Sequence, residues 1–332
     1  MSLPATMTVV EITRPGGPEV LRPVSAPVPQ PGKGEVLIEV AAAGVNRPDV
    51  MQREGKYPPP PGASEIPGLE VSGRIVALGD DVEGWSVGDR CAALVAGGGY
   101  ATYCVAPALQ CLPIPSGIEV EEMAGVPETF FTVWANVFEL GRFATKATLL
   151  CHGGASGIGT TAIQLVKAYG GRIVVTAGSD DKCQKCLDLG ADRAINYKTK
   201  DFVTEVEHFT DGEGVDVVLD MVGGDYVARN MACLARNGRH VTIAFLHGPD
   251  AQISLAPIML RNITLTGSTL RRRPVEEKGR LARALKSHVW PWFTDGVVKP
   301  IVSHRFKLSE AQQAHEALER GDHFGKIILL PD

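Results

Sequence analysis

The sequence predicts an α/β protein built from two parts, a β-barrel-like antiparallel domain and a doubly wound parallel sheet. Two observations carry this. Short apolar runs broken by Gly, Pro and Asp fill roughly residues 1–125, and strand and helix patterns alternate after that. The length of 332 residues fits the same reading, since domains average about 150 residues.

In the first part, Val36 to Ala41 is a short, half-alternating apolar run followed by Gly44. Val71 to Leu78 is another, closed by Gly79, Asp80 and Asp81. Val87 to Leu94 and Tyr100 to Val105 continue the series. This punctuation is that of antiparallel strands joined by tight turns. Glu121 to Leu140 has apolar residues at helical spacing and predicts one helix. Ala147 to His152, Arg172 to Thr176, Val215 to Asp220 and Arg239 to Ala244 read as strands. Helices over Ile158 to Tyr169, Asp181 to Leu189 and Tyr226 to Leu234 separate them. Near-continuous Val, Ile and Leu in strands between helices mean a parallel sheet covered on both faces. Residues 126–265 are assigned to this domain. Helices over Glu276 to Phe293 and Ser309 to Leu318 follow, then a strand from Lys326 to Leu330.

Composition narrows the function classes. Hydrophobic residues make up 44% of the chain, ordinary for a globular protein, so disorder is excluded. The formal net charge of −5 argues against a surface built to coat nucleic acid or anionic membrane. Arg271, Arg272 and Arg273 form one basic run, read as a solvated loop. No apolar stretch reaches the ~18 residues of a membrane span. The segment from Met1 to Met7 has no signal-peptide core, and Met7 is a possible natural start. A cytoplasmic location is expected. The cysteines number seven and are scattered, which fits a reducing compartment rather than a disulfide framework. Cys183 and Cys186 have redox-motif spacing but fall inside a helical pattern, so the spacing is read as chance.

The stretch from His152 to Ile158 carries the first chemical signal. Gly153, Gly154, Ala155, Ser156, Gly157, Ile158 and Gly159 join a strand to a helix, the context of a dinucleotide-binding fingerprint. Gly154 fits the first glycine, where the chain turns tightly, and Gly159 the third, where helix and strand pack closely. Ser156 stands at the middle position, with Gly157 beside it, so the strict pattern is broken once. The helix N-terminus adds partial positive charge for a pyrophosphate. A nucleophile elbow around Ser156 is rejected, because Ile158 stands where that motif needs Gly.

The tip of the next strand reports on the cofactor. An NAD site places Asp or Glu there, to accept from the ribose 2′-hydroxyl. Here the strand ends in Thr176, Ala177, Gly178 and Ser179. The small residues leave room for a 2′-phosphate, the Ser179 hydroxyl can donate to it, and Lys182 follows one turn later. Asp180 and Asp181 read as helix-start carboxylates. NADPH is therefore favoured over NADH.

With these landmarks the chain resembles a medium-chain dehydrogenase/reductase, and more closely the zinc-free NADPH:quinone oxidoreductases of the zeta-crystallin-like group. The resemblance spans nearly the whole chain. It is carried by Gly44 to Asp49, Gly55 to Gly62, Pro67 to Gly73, Val87 to Arg90, the Gly-rich loop, Asn196-Tyr197 and Gly325 to Ile327. It implies a GroES-like barrel, a Rossmann domain, and a return of residues 266–332 to the first domain. Zinc members carry Gly-His-Glu where this chain has Gly68, Leu69 and Glu70. The position of their first catalytic cysteine falls near Asn46, so the resemblance implies no metal.

Further residue roles follow from the resemblance. Lys182 and Tyr197 would hold the 2′-phosphate with Ser179. Asn46 and Thr129 would lie along the nicotinamide ribose and amide. Tyr57 would line the substrate cleft, as the candidate proton donor or orienting hydroxyl. Phe245, Leu246, Ser268, Thr269 and Leu270 would border the nicotinamide, and Lys326 would reach the cofactor. The implied partner is a small quinone, with a homodimer formed through sheet edges. Reduction of enals or enones is the nearest alternative. A non-catalytic NADPH-binding role, crystallin-like or RNA-binding, is the other, and the acidic charge counts against RNA.

Overall fold

A computed structural model describes residues 3–332; Met1 and Ser2, the start of the N-terminal segment read above, lie outside the described residues. The described residues divide into two units, one formed by 3–131 with Arg271–Asp332, the other by Thr132–Leu270.

The first unit opens with an antiparallel hairpin of β1 (Thr6–Ile12) and β2 (Leu21–Pro27). Next come β3 (Glu35–Val45), the short helix α1 (Arg47–Arg53), β4 (Glu70–Leu78), β5 (Arg90–Leu94), β6 (Tyr103–Pro107) and β7 (Cys111–Pro113). Strand β3 organises the sheet. It pairs with β4 along one edge; along the other, Glu35 to Glu39 pair with β6. Its far end, Ala43 to Val45, pairs with the C-terminal strand of the chain. Alternating small and branched residues such as Val36, Ile38, Ala43 and Val71 fill the core behind it.

The single helix expected from Glu121 to Leu140 is three pieces. A 3-10 turn (Glu122–Gly125) leads into α2 (Pro127–Val133), and Trp134–Leu140 is π-helical. Pro127 has no N–H to continue an earlier helix but suits the first turn of a new one. In the π segment the Asn136 side chain donates to the Thr132 carbonyl at 2.8 Å, inserting into the backbone ladder.

The second unit alternates strictly. Its strands are β8 (Thr148–Cys151), β9 (Arg172–Ala177), β10 (Arg193–Asn196), β11 (Val215–Asp220), β12 (Leu234–Thr242) and β13 (Thr264–Gly267). Between them run α3 (Gly157–Ala168), α4 (Asp180–Asp188), α5 (Phe202–Phe209), α6 (Tyr226–Cys233) and α7 (Ala256–Arg261). All pairs are parallel, in the order β10-β9-β8-β11-β12-β13. That is the doubly wound order of dinucleotide-binding folds, with its switch point between β8 and β11. The α/β class and the parallel sheet expected from the sequence are both present.

After Leu270 the chain rejoins the first unit. The helix expected over Glu276 to Phe293 breaks into α8 (Val275–His288) and α9 (Trp290–Thr294), because Pro291 cannot donate to the turn before it. Strand β14 (Val302–Lys307), helix α10 (Ala311–Arg320) and β15 (Lys326–Leu330) complete the sheet. All seven cysteines are free and buried. Cys183 and Cys186 lie within α4, and burial pushes the Cys186 thiol up to about 12, which makes it inert as a thiolate. Among the described residues no helix is long and apolar enough to cross a membrane.

Candidate active site

In the second unit the loop after β8 is shaped by three glycines with different tasks. Gly153 takes φ +70°, the left-handed conformation that a tight turn needs. The turn was expected at Gly154, which is constrained instead by proximity to β9. A Cβ on Gly154 would lie 2.6 Å from Cβ of Val175. Gly159 packs the helix against the loop, since its Cβ would meet the Gly153 carbonyl oxygen at 2.4 Å. Ser156 caps α3, its hydroxyl accepting from the Gly159 N–H at 3.1 Å. The preceding N–H groups of Gly157 and Ile158 lie in the first helical turn, where no intrahelical acceptor exists. The loop is thus a cradle for an anion, with backbone donors and the positive end of α3.

At the end of β9, Ser179 caps α4 by accepting from the Lys182 N–H at 3.3 Å, which leaves its own O–H as a donor. The Tyr197 hydroxyl faces Gly178, where a Cβ would lie 2.9 Å from it, and Tyr197 is 45% exposed. The two nearby carboxylates are engaged elsewhere. Asp180 accepts from the Asn196 side chain at 2.8 Å, and Asp181 pairs with Lys185 at 2.8 Å. Gly178, Ser179 and Tyr197 therefore share one corner with the Lys182 N–H, and both carboxylates beside it are bonded to protein groups.

At the switch point, Asp220 ends β11. Burial alone would raise its carboxyl, yet the His240 ring and the Val222 N–H hold it below the usual range. His152 is fully buried between Thr176 and Asn230, bonded at 3.0 and 2.7 Å, and burial lowers its basicity. It belongs to the internal network that ties the strand ends together. Phe245 and Leu246 are more than half exposed on the loop after β12. That loop is held by backbone bonds from Leu246 and His247 to the carbonyls of Met221 and Val222. Ser268 donates to Asn136 at 2.7 Å, Thr269 is exposed, and Leu270 is buried.

In the first unit, Asn46 caps α1 at the end of β3, and its N–H donates to Asp49 at 2.8 Å. Its side-chain Nδ2 donates to Glu70 at 2.8 Å. Lys326 was expected to reach a cofactor. Its ammonium instead donates to the Val45 carbonyl (2.9 Å), Asn46 Oδ1 (2.6 Å) and Glu70 Oε1 (2.7 Å), so its three donors are spent on protein oxygens. Glu70 Oε2 accepts the Glu128 N–H at 2.8 Å. This donor set does not fit a zinc ion: Leu69 offers no ligand, and both Glu70 oxygens are occupied. Thr129 is buried, with its hydroxyl turned to the carbonyls of Gly125 and Val126.

Sequence reasoning missed two charged residues here. Arg271, read as part of a solvated run, is 5% exposed. It donates to the Ala96 carbonyl (2.8 Å), Gln52 Oε1 (2.8 Å) and the Tyr57 carbonyl (3.3 Å), and lies 5.5 Å from the Tyr57 ring. These acceptors match its planar fork, which allows burial. Arg272 stays exposed and Arg273 pairs with Glu277. Glu128 was the other omission. Burial first, and then the Glu70 charge, push its carboxyl up to about 8. Only its place beside Thr129 was visible in sequence. Burial and Glu128 also raise the Tyr57 phenol.

Residues 32–116 match the family described as alcohol dehydrogenase GroES-like domain, and residues 157–287 match zinc-binding dehydrogenase. A quinone oxidoreductase of Mus musculus is 30% identical over 98% of this chain and 98% of its own. One from Salmonella typhimurium is 31% identical over 98% and 99%. The chain is a medium-chain dehydrogenase/reductase of the quinone oxidoreductase family. The crystal structure of Escherichia coli quinone oxidoreductase complexed with NADPH superimposes with a TM-score of 0.86 at 29% identity, covering 98% of this chain and 100% of that one. In the second unit, the loop around Ser156 and the corner at Ser179 are where backbone N–H groups and side-chain hydroxyls can donate to a ligand.

Proposed function

We propose that this chain reduces quinones with NADPH and without a metal. The observation that carries the reading is the corner at the end of β9. There Gly178 lets the Tyr197 hydroxyl approach the strand end, the Ser179 and Tyr197 hydroxyls can donate, and both nearby carboxylates are engaged. A 2′-phosphate suits that corner better than a bare ribose hydroxyl does. The NADPH-bound relative from Escherichia coli supports the cofactor, and the names of the relatives at about 30% identity support the acceptor class.

When bound, NADPH would supply a hydride to an electron-poor acceptor. The chain's own work is then binding and placement. Gly157 and Ile158 offer N–H groups to the pyrophosphate, and Ser156 keeps the loop closed on α3. Ser179, Lys182 and Tyr197 hold the 2′-phosphate. In the first unit, Arg271 fixes the backbone of Tyr57, whose ring orients a flat acceptor. The raised Tyr57 phenol is a reluctant acid, so solvent protonates the reduced quinone. The donors near Glu70 do not fit a metal, and no step runs through one.

NADPH oxidation followed against a panel of quinones, enones, ketones and alcohols tests this. Quinones are expected to turn over fastest. Faster turnover of enones would move the assignment to alkene reduction, and no turnover of any acceptor would favour a binding role.

A further inference from the structure

A hydrogen bond ties Glu128 to Glu70, two acidic residues 58 positions apart: Glu70 Oε2 accepts the Glu128 N–H at 2.8 Å. Glu70 is fully buried and answered by a cation, with Oε1 2.7 Å from the Lys326 ammonium. Glu128 is half-buried beside it, and among the described residues no ion pair or hydrogen bond engages its carboxyl. A second negative charge next to a buried carboxylate is disfavoured, so Glu128 keeps its proton at neutral pH. A protonated carboxyl carries an O–H donor, which an ionised one lacks.

Lys278, on α8, turns its ammonium to the same region. Each of the two groups feels the other's charge, yet among the described residues no ion pair joins them. Lys278 is only 4% exposed and uses one of its three donors, on the Arg271 carbonyl at 3.3 Å. The Tyr57 phenol also feels the Glu128 charge, and the Arg271 guanidinium that holds Tyr57 lies 5.5 Å from its ring. An acid and an ammonium with unused donors thus stand beside Tyr57 and Arg271 without pairing.

We propose that the Glu128 carboxyl and the Lys278 ammonium together bind one carbonyl oxygen of the acceptor, both as hydrogen-bond donors. The inference rests on the quinone reading above and uses side chains of the first unit alone. A carbonyl oxygen has two lone pairs and can accept from both. The ammonium also favours the negative charge that this oxygen gains on reduction. No proton is transferred in binding; the acid serves as a donor, and water still protonates the product. Ionised, Glu128 would be an acceptor only and would draw Lys278 to itself, closing the place to a carbonyl oxygen. Glu70 on β4, Lys326 on β15, Asp49 on α1 and Lys278 on α8 face Glu128, and so does the Tyr57 phenol, itself faced by Arg271 and Arg272. Burial pushes Glu128 up to about 8, Asp49 to about 6, and Tyr57 above its ordinary value, so Glu128 is the carboxyl that changes charge between pH 7 and pH 9.

The test measures duroquinone dissociation constants by tryptophan fluorescence quenching, with and without saturating NADP+, which has no hydride to give. Every ring position of duroquinone is methylated, so it does not add to thiols or amines during the titration. Wild type is expected to bind roughly tenfold more weakly at pH 9 than at pH 7, the ratio of neutral acid at the two values for a carboxyl at about 8. Glu128→Gln, whose amide donates at every pH, is expected to match wild type at pH 7 and to hold that affinity at pH 9. Lys278→Met is expected to weaken binding at pH 7 roughly tenfold, the value of one hydrogen bond from a charged group. A wild type with equal affinity at both pH values, a Glu128→Gln protein that follows the wild-type slope, or a Lys278→Met protein that binds like wild type overturns the proposal. Should Lys278→Met fail to fold, the slopes of wild type and Glu128→Gln still decide. A wild type that binds no duroquinone in either condition defeats the quinone reading itself, whereas binding indifferent to pH and to both changes overturns this proposal alone.

Discussion

The Tyr197 hydroxyl stands so close to Gly178 that a methyl group on the glycine would lie 2.9 Å from it. The glycine at the end of β9 thus sets the place of the hydroxyl that faces the expected 2′-phosphate. NADPH is expected to bind at least tenfold tighter than NADH, since a phosphate held by a lysine and two hydroxyls gains over ~1.4 kcal/mol. Lys182→Ala should weaken NADPH and leave NADH nearly unchanged. Fluorescence titration with both cofactors checks this, and equal loss for both would remove Lys182 from the phosphate site.

Much of this corner was legible in the sequence, because a strand tip and a helix start are local features. Gly178, Ser179 and Lys182 are neighbours in the chain, and the hydroxyl cap of α4 follows from its position. The glycine-rich turn from β8 to α3 was legible for the same reason. Which glycine turns and which packs was not, since Gly154 is dictated by Val175 on another strand. Lys326 shows the limit more sharply. Its partners Asn46 and Glu70 lie far away in sequence and meet it only because β15 pairs with β3. Arg271 was misread because three adjacent arginines look solvated, and nothing local marks the buried acceptors Gln52 and Ala96. The helix breaks at Pro127 and Pro291 were readable from proline chemistry alone and were overridden by apolar spacing.

Glu128 makes stability depend on pH. Its carboxyl is raised in the folded protein to about 8, from an ordinary value of 4.5. Between these values the unfolded chain has released the proton and the folded chain has kept it, so stability falls as pH rises through this window. Glu128→Gln removes the titration while keeping size and polarity. Relative to wild type it should gain on the order of 1 kcal/mol at pH 8 and little at pH 4, the figure being reduced for partial exposure. Urea unfolding at several pH values measures this. Identical pH profiles for the two proteins would exclude Glu128 as the source.

Chelation should leave activity intact. Glu70 gives its oxygens to Lys326, Asn46 and the Glu128 N–H, and Leu69 has none to give. Dialysis against a strong chelator, followed by metal analysis and assay, decides the matter. Stoichiometric zinc whose removal abolishes activity would overturn the reading.

A homodimer through the edge of the parallel sheet is a further expectation. Strand β13 is an outer strand, and α7 beside it in sequence carries Met259 and Leu260 at 78% and 69% exposure, with Leu255 at 70%. Exposed apolar side chains next to an outer strand are the kind of surface that a second copy would cover. Sedimentation equilibrium should give twice the chain mass, and Met259→Glu with Leu260→Glu should shift it toward the monomer. A monomeric wild type would refute this.

Tyr57 decides how the acceptor is handled. The residue is half-buried, its backbone carbonyl is held by Arg271, and its phenol is raised by burial and then by Glu128. A raised phenol is a weaker acid, and the anion of a hydroquinone is a weak enough base to take its proton from water. Tyr57→Phe should therefore raise KM for quinones and leave kcat nearly unchanged, since the ring remains and only a binding contact is lost. Arg271→Lys should act in the same direction, because a lysine cannot reproduce the three bonds of the guanidinium to Ala96, Gln52 and Tyr57. Simple alcohols should be poor substrates, as their oxidation needs a base or metal at the hydroxyl, and the carboxyl near Tyr57, that of Glu128, keeps its proton up to about pH 8. Steady-state kinetics over a range of quinone concentrations separate the two parameters. A fall in kcat of roughly a hundredfold for Tyr57→Phe would instead make the phenol the proton donor.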